Sequence, residues 1–253
     1  MSNLITKEEY KERLIEIIDI AVKEGEKVLK FKEMLEDKSN YGDNYHTSLG
    51  NMSFDIKSTG ETAYQRAILK VKNLLDFKEN KSFETVEWID GELPIVLNEN
   101  RRRIAIDLIG LLNGKPTICE LKYKKSSKKS SNSNSPVYAA IELLTYYCFI
   151  QFNAEALDKY SVNHKNLKSF KWNVITGNRF PHLIVCANES YWDSWFRKYN
   201  KKELINKVHK WGKQLDISIS LFQSEDFDFE LQRVGNKDKY TPSIPDKSIW
   251  KIV

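Results

Sequence analysis

Two acidic residues and a lysine lie close together in an apolar stretch of the sequence and could do chemistry. Asp107 and Glu120 flank an Asn113-Gly114 pair, and apolar runs stand on both sides of that pair. Asn-Gly between two apolar runs is a strong signal for a two-residue β-hairpin. Counting outward from such a turn places Asp107 directly opposite Glu120, and strand alternation puts Lys122 on the same face as Glu120.

Facing carboxylates in apolar strands need a compensating charge, because cross-strand Cβ atoms are only about 5 Å apart and like charges there repel. A bound cation or a shared proton is the usual remedy. Mg²⁺ fits this chemistry because it prefers oxygen ligands. The alternative is a salt bridge between Lys122 and one carboxylate on a strand that faces solvent. The apolar neighbours of both acids favour the metal site over this alternative.

The same residues carry a family resemblance. Asp107, twelve further residues and then Glu120-Leu121-Lys122 resemble the core motif of the PD-(D/E)XK phosphodiesterases, the restriction-endonuclease-like superfamily, and the similarity spans roughly residues 58 to 187. It implies an α/β fold with an αβββαβ core, a mixed central sheet flanked by helices, and N-terminal helical and C-terminal additions. It also implies hydrolysis of phosphodiester bonds with Mg²⁺, for which Mn²⁺ can substitute.

The resemblance assigns a role to each residue of the motif. Asp107 and Glu120 would each give the metal a carboxylate oxygen, and the backbone carbonyl of Leu121 would give a third ligand. Lys122 would position or deprotonate the attacking water and stabilise the charge at phosphorus. Many members of the superfamily carry a glutamate on the first core helix, and the resemblance therefore implies Glu61 as a further candidate metal ligand and catalytic residue. The alternative is that Glu61 only caps its own helix.

Three more residues are predicted to support the site. Gln65 lies one helical turn after Glu61. Families of this type often carry Gln-x-x-x-Tyr on the helix after the motif lysine, and this chain keeps the spacing as Glu142 and Tyr146. The change from glutamine to glutamate favours a bond from Glu142 to Lys122 over a direct contact with phosphate. The alternative is that Glu142 and Tyr146 are surface residues.

Basic residues on both sides of the motif are predicted to attract the nucleic-acid backbone, a contact that is sensitive to salt and independent of sequence. The alternative for each of them is a solvated charge. The residues concerned are Lys124, Lys125, Lys128, Lys129, Arg101, Arg102 and Arg103.

The elements that must position these residues follow from periodicity and capping signals. A capping box at Thr6 predicts a helix that ends before Tyr41. A second capping box, Ser58 to Glu61, predicts another helix, whose apolar residues run at helical spacing from Tyr64 to Leu75. Helices are also predicted from Pro136 and over 190–213, where an aromatic stripe is expected to face the core. The predicted strands are 83–89 and 93–97, joined by a turn at Asp90-Gly91, then 103–112, 116–123, 182–187 and 217–222.

Composition sets the broader class. With 253 residues and 41% hydrophobic content the chain can form one sizeable core, and we expect residues 1–57 as an extension of a nuclease-like unit at 58–253. The formal charge of +5 favours an anionic partner only slightly. The three cysteines are predicted to be reduced core residues, and the four histidines lack zinc-ligand spacing. With neither a secretory pattern nor an apolar run of membrane-spanning length, the expected location is cytoplasmic.

These expectations converge on a metal-dependent nuclease, an endonuclease in the simplest case, with DNA favoured over RNA as substrate. An RNA nuclease would use the same residues. The rival from another class is a non-catalytic member of the fold that binds nucleic acid or a protein. The intact set of Asp107, Glu120 and Lys122 favours the enzyme, and the sequence leaves a homodimer open.

Overall fold

The chain folds as an α/β protein. The computed structural model describes residues 5–41, 46–47, 60–68, 72–76, 83–97, 102–125, 134–161, 181–225, 228–234, 237–243 and 247–253. The helices in these ranges are α1 Lys7–Lys23, α2 Leu29–Glu36, α3 Glu61–Ile68, α4 Pro136–Phe152, α5 Ala154–Ser161, α6 Glu189–Phe196 and α7 Lys201–Gln214. The strands are β1 His46–Thr47, β2 Lys72–Asp76, β3 Phe83–Leu97, β4 Arg102–Leu112, β5 Lys115–Lys122, β6 His182–Asn188, β7 Ser218–Ser224, β8 Asp228–Val234, β9 Lys237–Ser243 and β10 Lys247–Ile252.

Eight strands form one mixed sheet in the order β1-β3-β2-β10-β7-β6-β5-β4. The strand β3 also pairs with β4, at the other end of this order. The sheet is therefore curled, and the seven strands from β3 to β4 form a closed ring of paired strands. Strands β5, β6 and β7 run parallel, as do β2 and β10, whereas the other pairs of this sheet are antiparallel. The strands β8 and β9 form a separate antiparallel pair.

The predicted hairpin is present as β4 and β5. Asn113 has φ of 49° and Gly114 has φ of 76°, so both turn residues take the left-handed conformation that a type I′ turn requires. The register runs from Leu112 opposite Lys115 to Leu108 opposite Cys119. This is the register that the count from the turn predicts.

The helix α4 follows β5 and returns the chain to β6, which therefore pairs with β5 in parallel. Ser135 caps α4 by accepting a hydrogen bond from the backbone N–H of Tyr138, and Pro136 takes the first helical position, as predicted. Every residue from Pro136 to Ile150 is buried. One face packs on the sheet, and α1 and α2 pack against the same helix within one hydrophobic core.

One predicted helix ends within its stated limit, and another was wrong in extent. The helix that begins at the Thr6 cap ends at Lys23, and Gly25, with φ of +93°, turns the chain before α2. The stretch 72–76 was predicted as the end of a helix but is the strand β2. Its apolar residues have helical spacing, yet β2 pairs with β10 at the other end of the chain, and pairing at that range leaves no local signal.

Three further boundaries differ from the prediction. Asp90-Gly91 is no turn, because β3 continues through it and only Ile89 bulges out of the register with β4. The segment 190–213 holds two helices, since Asn200 starts α7 as its cap. The strand predicted at 217–222 is β7, but three more strands follow it.

Candidate active site

The predicted acids lie where β4 and β5 separate. The ladder between these strands ends at Leu108 and Cys119, one residue before Asp107 and Glu120. Instead of continuing the ladder, the side chain of Asp107 accepts a hydrogen bond from the backbone N–H of Leu121 through Oδ2, at 2.7 Å. The N–H and C=O of an extended residue point to the same edge of its strand, so the carbonyl of Leu121 faces this gap as well.

Lys122 is buried between two carboxylates. Its Nζ lies 2.5 Å from Oε1 of Glu120 and 3.1 Å from Oε2 of Glu142. Glu142 also accepts a hydrogen bond from the hydroxyl of Tyr146 at 2.8 Å. Glu142 and Tyr146 are 8% and 4% exposed, so the alternative that they are surface residues is wrong. The structure thus joins the strand motif to α4 through the side chain of Lys122.

One carboxylate oxygen in this cluster is left without a hydrogen bond. Glu120 is 3% exposed, and its Oε2 has no hydrogen-bond donor among the described residues. Burial raises the pKa of Glu120 well above its usual range, and the charges of Asp107 and Glu142 add to this effect. Burial acts on Glu142 in the same direction, but the Lys122 ammonium and hydrogen bonds hold its pKa below the ordinary value. A proton taken up by the pair therefore resides on Glu120.

Asp107 and Glu61 form the more accessible side of the site, since both are half-buried. Burial raises the pKa of Asp107 to about 7, with the charge of Lys122 acting against the shift and that of Glu61 adding to it. Burial also raises the pKa of Glu61, whose Oε2 accepts a hydrogen bond from the backbone N–H of Tyr123 at 3.2 Å. Gln65 donates its side-chain N–H to the carbonyl oxygen of Asp107 at 2.6 Å.

The site contains more acidic groups than basic ones. Burial lowers the pKa of Lys122, but the charges of four carboxylates outweigh burial and raise it well above the ordinary value. One ammonium therefore neutralises only part of the charge when the four acids are ionised. The acids concerned are Glu61, Asp107, Glu120 and Glu142.

These oxygens fit a hard cation with few protein ligands. Among the residues that the structure describes, no three His, Cys, Asp or Glu side chains are grouped closely enough to form a metal cage. Mg²⁺ needs no such cage, because it keeps several waters and is commonly held by one or two carboxylates. The buried, unpartnered Oε2 of Glu120 beside Asp107 supplies donors of that kind. The carbonyl of Leu121 faces the same gap.

The structure describes only some of the basic residues that were predicted to contact the nucleic-acid backbone. Lys124 is half-buried and Lys125 is exposed, directly after the motif lysine. Lys128, Lys129 and Arg101 lie outside the described residues. Arg102 and Arg103 are the first residues of β4, and only their backbone is described.

Sequence reasoning missed Asn188, the last residue of β6. Its side chain accepts a hydrogen bond from the backbone N–H of Lys124 at 2.9 Å and donates one to the carbonyl of Lys124 at 2.8 Å. It is 1% exposed, and it holds the chain two residues beyond Lys122. The available signal was an asparagine at the carboxyl end of a buried strand parallel to β5. Its partner lies 64 residues earlier in the sequence, which hides the contact from local patterns.

Comparison of the chain with models of known families, with curated proteins and with solved structures gave no match. Of the helices that the structure describes, none combines the length and hydrophobicity needed to cross a membrane.

Proposed function

We propose that this protein is a Mg²⁺-dependent nuclease of the PD-(D/E)XK type that hydrolyses phosphodiester bonds, with DNA favoured over RNA. The observation that carries the proposal is the meeting of Asp107, Glu120 and Lys122 where two strands separate, with a buried Glu120 oxygen that lacks a donor. A buried carboxylate without a partner is unfavourable in a folded protein unless a cation or proton completes it. A divalent cation would meet that need.

The order of elements gives independent support. The chain contains, in this order, the helix α3, the strands β3, β4 and β5, the helix α4 and the strand β6. This order is compatible with the αβββαβ core that the resemblance implies if β2, which follows α3, and α5, which follows α4, are insertions. The motif residues lie on β4 and β5 within that order.

The residues of the site have different roles in the proposed hydrolysis. Mg²⁺, when bound by Asp107, Glu120 and the Leu121 carbonyl, would supply a polarised water and neutralise charge on the phosphate. The raised pKa of Lys122 keeps its amine protonated, which favours a role in stabilising charge at phosphorus over a role as base. Glu142 holds the ammonium in place from α4.

The proposal is tested by cleavage of single-stranded, duplex and branched DNA and of RNA, with Mg²⁺, with Mn²⁺ and with chelator. We expect metal-dependent cleavage that falls at least about 100-fold in Lys122→Met, because a charge-stabilising group is lost. Lys122→Met also leaves two buried carboxylates without their cation and should destabilise the fold. Binding of uncut DNA in chelator should stay close to that of the parent.

A second variant separates chemistry from folding. In Lys122→Met with Glu142→Gln one of the two stranded charges is gone, so we expect melting to recover towards that of the parent while cleavage stays low. Cleavage that returns together with stability would show that Lys122 is only a structural cation. A parent protein that cuts none of the substrates with either metal would favour the non-catalytic member of the fold.

A further inference from the structure

One short segment of the chain carries a large excess of positive charge. Residues 197–213 contain seven lysines and arginines and one glutamate, a formal charge of +6. The whole chain carries +5, so the remaining residues together carry −1. The segment comprises the whole α6–α7 connection and all of α7 except its last residue.

This charge lies on the exposed side of a two-sided helix. The apolar residues of α7 that are buried in the core are Leu204, Val208 and Trp211. The opposite side is exposed, and its residues recur at positions i, i+4, i+7, i+8 and i+11, which form one helical face about 17 Å long. We call this the α7 basic face, and it consists of Lys202, Asn206, His209, Lys210 and Lys213.

Helix stability accounts for Lys213, which lies in the last turn of α7, but not for Lys202 and Lys210. Among the described residues, Lys202, Lys210 and Lys213 form no salt bridge, whereas Lys207 on the flank of the helix pairs with Glu24. Lys201 and Lys202 occupy the first turn, where the helix dipole disfavours cations. A row of unpaired cations held at a regular spacing is therefore available to a partner.

The chemistry of the face selects the kind of partner. Stable binding to a membrane surface normally combines cations with an apolar side that enters the lipid, and the apolar side of α7 is buried in the core. A protein partner is normally anchored by aromatic or aliphatic residues, which the α7 basic face lacks. A polyphosphate backbone requires only spaced cations.

We infer that the α7 basic face binds the backbone of duplex nucleic acid independently of sequence. The inference deepens the proposed function, on which it rests for the identity of the substrate. It supplies a binding surface apart from the acidic active site.

The position of α7 connects this face with the site. The helix α6 begins directly after Asn188, whose side chain binds the backbone of Lys124 at the site end of the sheet. Tyr199, just before α7, bonds to Glu26, and Glu26 accepts a hydrogen bond from Ser135 at the start of α4. The helix α7 then runs to the start of β7, at the opposite end of the parallel strands. A duplex along α7 therefore has one end directed towards the site.

The test compares two triple variants that change the net charge by the same amount. Lys202→Glu, Lys210→Glu and Lys213→Glu alter the α7 basic face, and the control set alters exposed lysines elsewhere, Lys7→Glu, Lys27→Glu and Lys38→Glu. Binding to a fluorescent duplex is measured by anisotropy in chelator, so that no cleavage occurs, over a series of salt concentrations. We expect the α7 triple to weaken binding at least about tenfold and to make the slope of log affinity against log salt shallower by up to about 2.7. The control set should keep the parent's slope.

Equal slopes for the two triples would overturn the inference. It would also be overturned if the α7 triple lost binding to phosphatidylserine vesicles or to polyglutamate while duplex binding stayed unchanged. Failure of the proposed function looks different: a parent that binds duplex through α7 but never cuts it keeps the inference and refutes the nuclease. A parent that cuts duplex DNA, with a salt slope that the α7 triple leaves unchanged, keeps the nuclease proposal and refutes the inference.

Discussion

At the scale of single residues, Lys122 is the one described cation within the cluster of four carboxylates. It contacts Glu120 and Glu142 directly, while Asp107 and Glu61 act on it from the more open side. One ammonium cannot neutralise all four carboxylates, so a proton or a cation from solution must neutralise part of the remaining charge. This competition makes both stability and metal binding depend on pH.

We predict that Asp107 and Glu120 give the metal-free protein a stabilising contribution that is lost as pH rises from about 4 to about 7. Burial raises the pKa of Asp107 to about 7 and raises that of Glu120 above its usual range, so the folded state binds protons that the unfolded state has released. The stabilising contribution is complete below the unfolded pKa and is lost as pH passes the folded pKa. Asp107→Asn and Glu120→Gln should flatten this slope, as measured by melting in chelator across the pH range.

The same two variants test the metal. Asparagine and glutamine keep an oxygen for the hydrogen bonds from Leu121 and Lys122 but lose the negative charge. Calorimetric titration with Mn²⁺ should therefore show much weaker binding, while the metal-free variants melt at or above the temperature of the parent at pH 7. Parent-like Mn²⁺ affinity in both variants would exclude these acids as ligands.

The arrangement of the site residues could be predicted from the sequence where residues close in the chain gave a signal. The hairpin turn at Asn113-Gly114 was enough to bring Asp107, Glu120 and Lys122 together. Tyr123, which stacks on Tyr64 with ring centroids 5.2 Å apart, gave no such signal, and neither did Asn188. Each of these contacts depends on how two distant segments pack.

At the scale of elements, the site depends on three strands ending at different points. The strand β4 leaves β5 at Leu108, whereas β5 and β6 stay paired as far as Lys122 and Ala187. The side chain of Asn188 then continues this pairing by binding both backbone groups of Lys124. The backbone around Lys122 is thereby fixed on the β6 side and open on the β4 side.

We predict that Asn188→Ala lowers stability by about 1–3 kcal/mol, because two buried backbone groups of Lys124 lose their partner. Well below the melting temperature it should also lower kcat with little change in DNA affinity, since the Lys122 backbone is less firmly held. Asn188→Asp serves as the matched control, because it keeps the acceptor for the Lys124 N–H but cannot donate to the carbonyl. A kcat equal to the parent's in Asn188→Ala would mean that the side chain serves only folding.

Elements whose ends are marked by capping or turn residues were predicted well. Elements that depend on pairing with distant segments were not. The cap at Ser135 and the proline after it predicted the start of α4, and the Asn-Gly turn predicted the hairpin of β4 and β5. The strand β2 was mistaken for helix because its partners are β10 and β3. The bulge at Ile89 was mistaken for a turn because Asp90-Gly91 is compatible with both.

At the scale of the whole molecule, β10 closes the circuit of strands. It lies between β2 and β7, and its Trp250 is fully buried, with its ring 5.7 Å from that of Trp88. The cluster around Trp250 also contains Leu121, the residue between the two charged positions of the motif. The core under the site is therefore completed by the last strand.

We predict that Trp250→Ala destabilises the protein by about 3–5 kcal/mol, the range for removal of a buried aromatic side chain. Trp250→Phe should be milder, because the ring volume is largely kept and the indole N–H, which has no hydrogen bond in the structure, is removed. Lys251→Ala, an exposed neighbour on the same strand, is the control. Denaturant melts followed by circular dichroism give the three values, and a midpoint of Trp250→Ala equal to that of the parent would show that burial of this side chain does not stabilise the protein.

Closure by β10 also sets a sequence of events during synthesis. Residues 72–76 emerge from the ribosome long before their parallel partners at 247–251, and long-range pairing of this kind forms slowly. The hairpin of β4 and β5 and the helix α4 can form early, but β2 must wait with one edge unpaired. A nascent chain that is stalled before residue 247 would therefore hold the acids and the lysine of the motif on an open sheet, whose free edge invites aggregation or a chaperone.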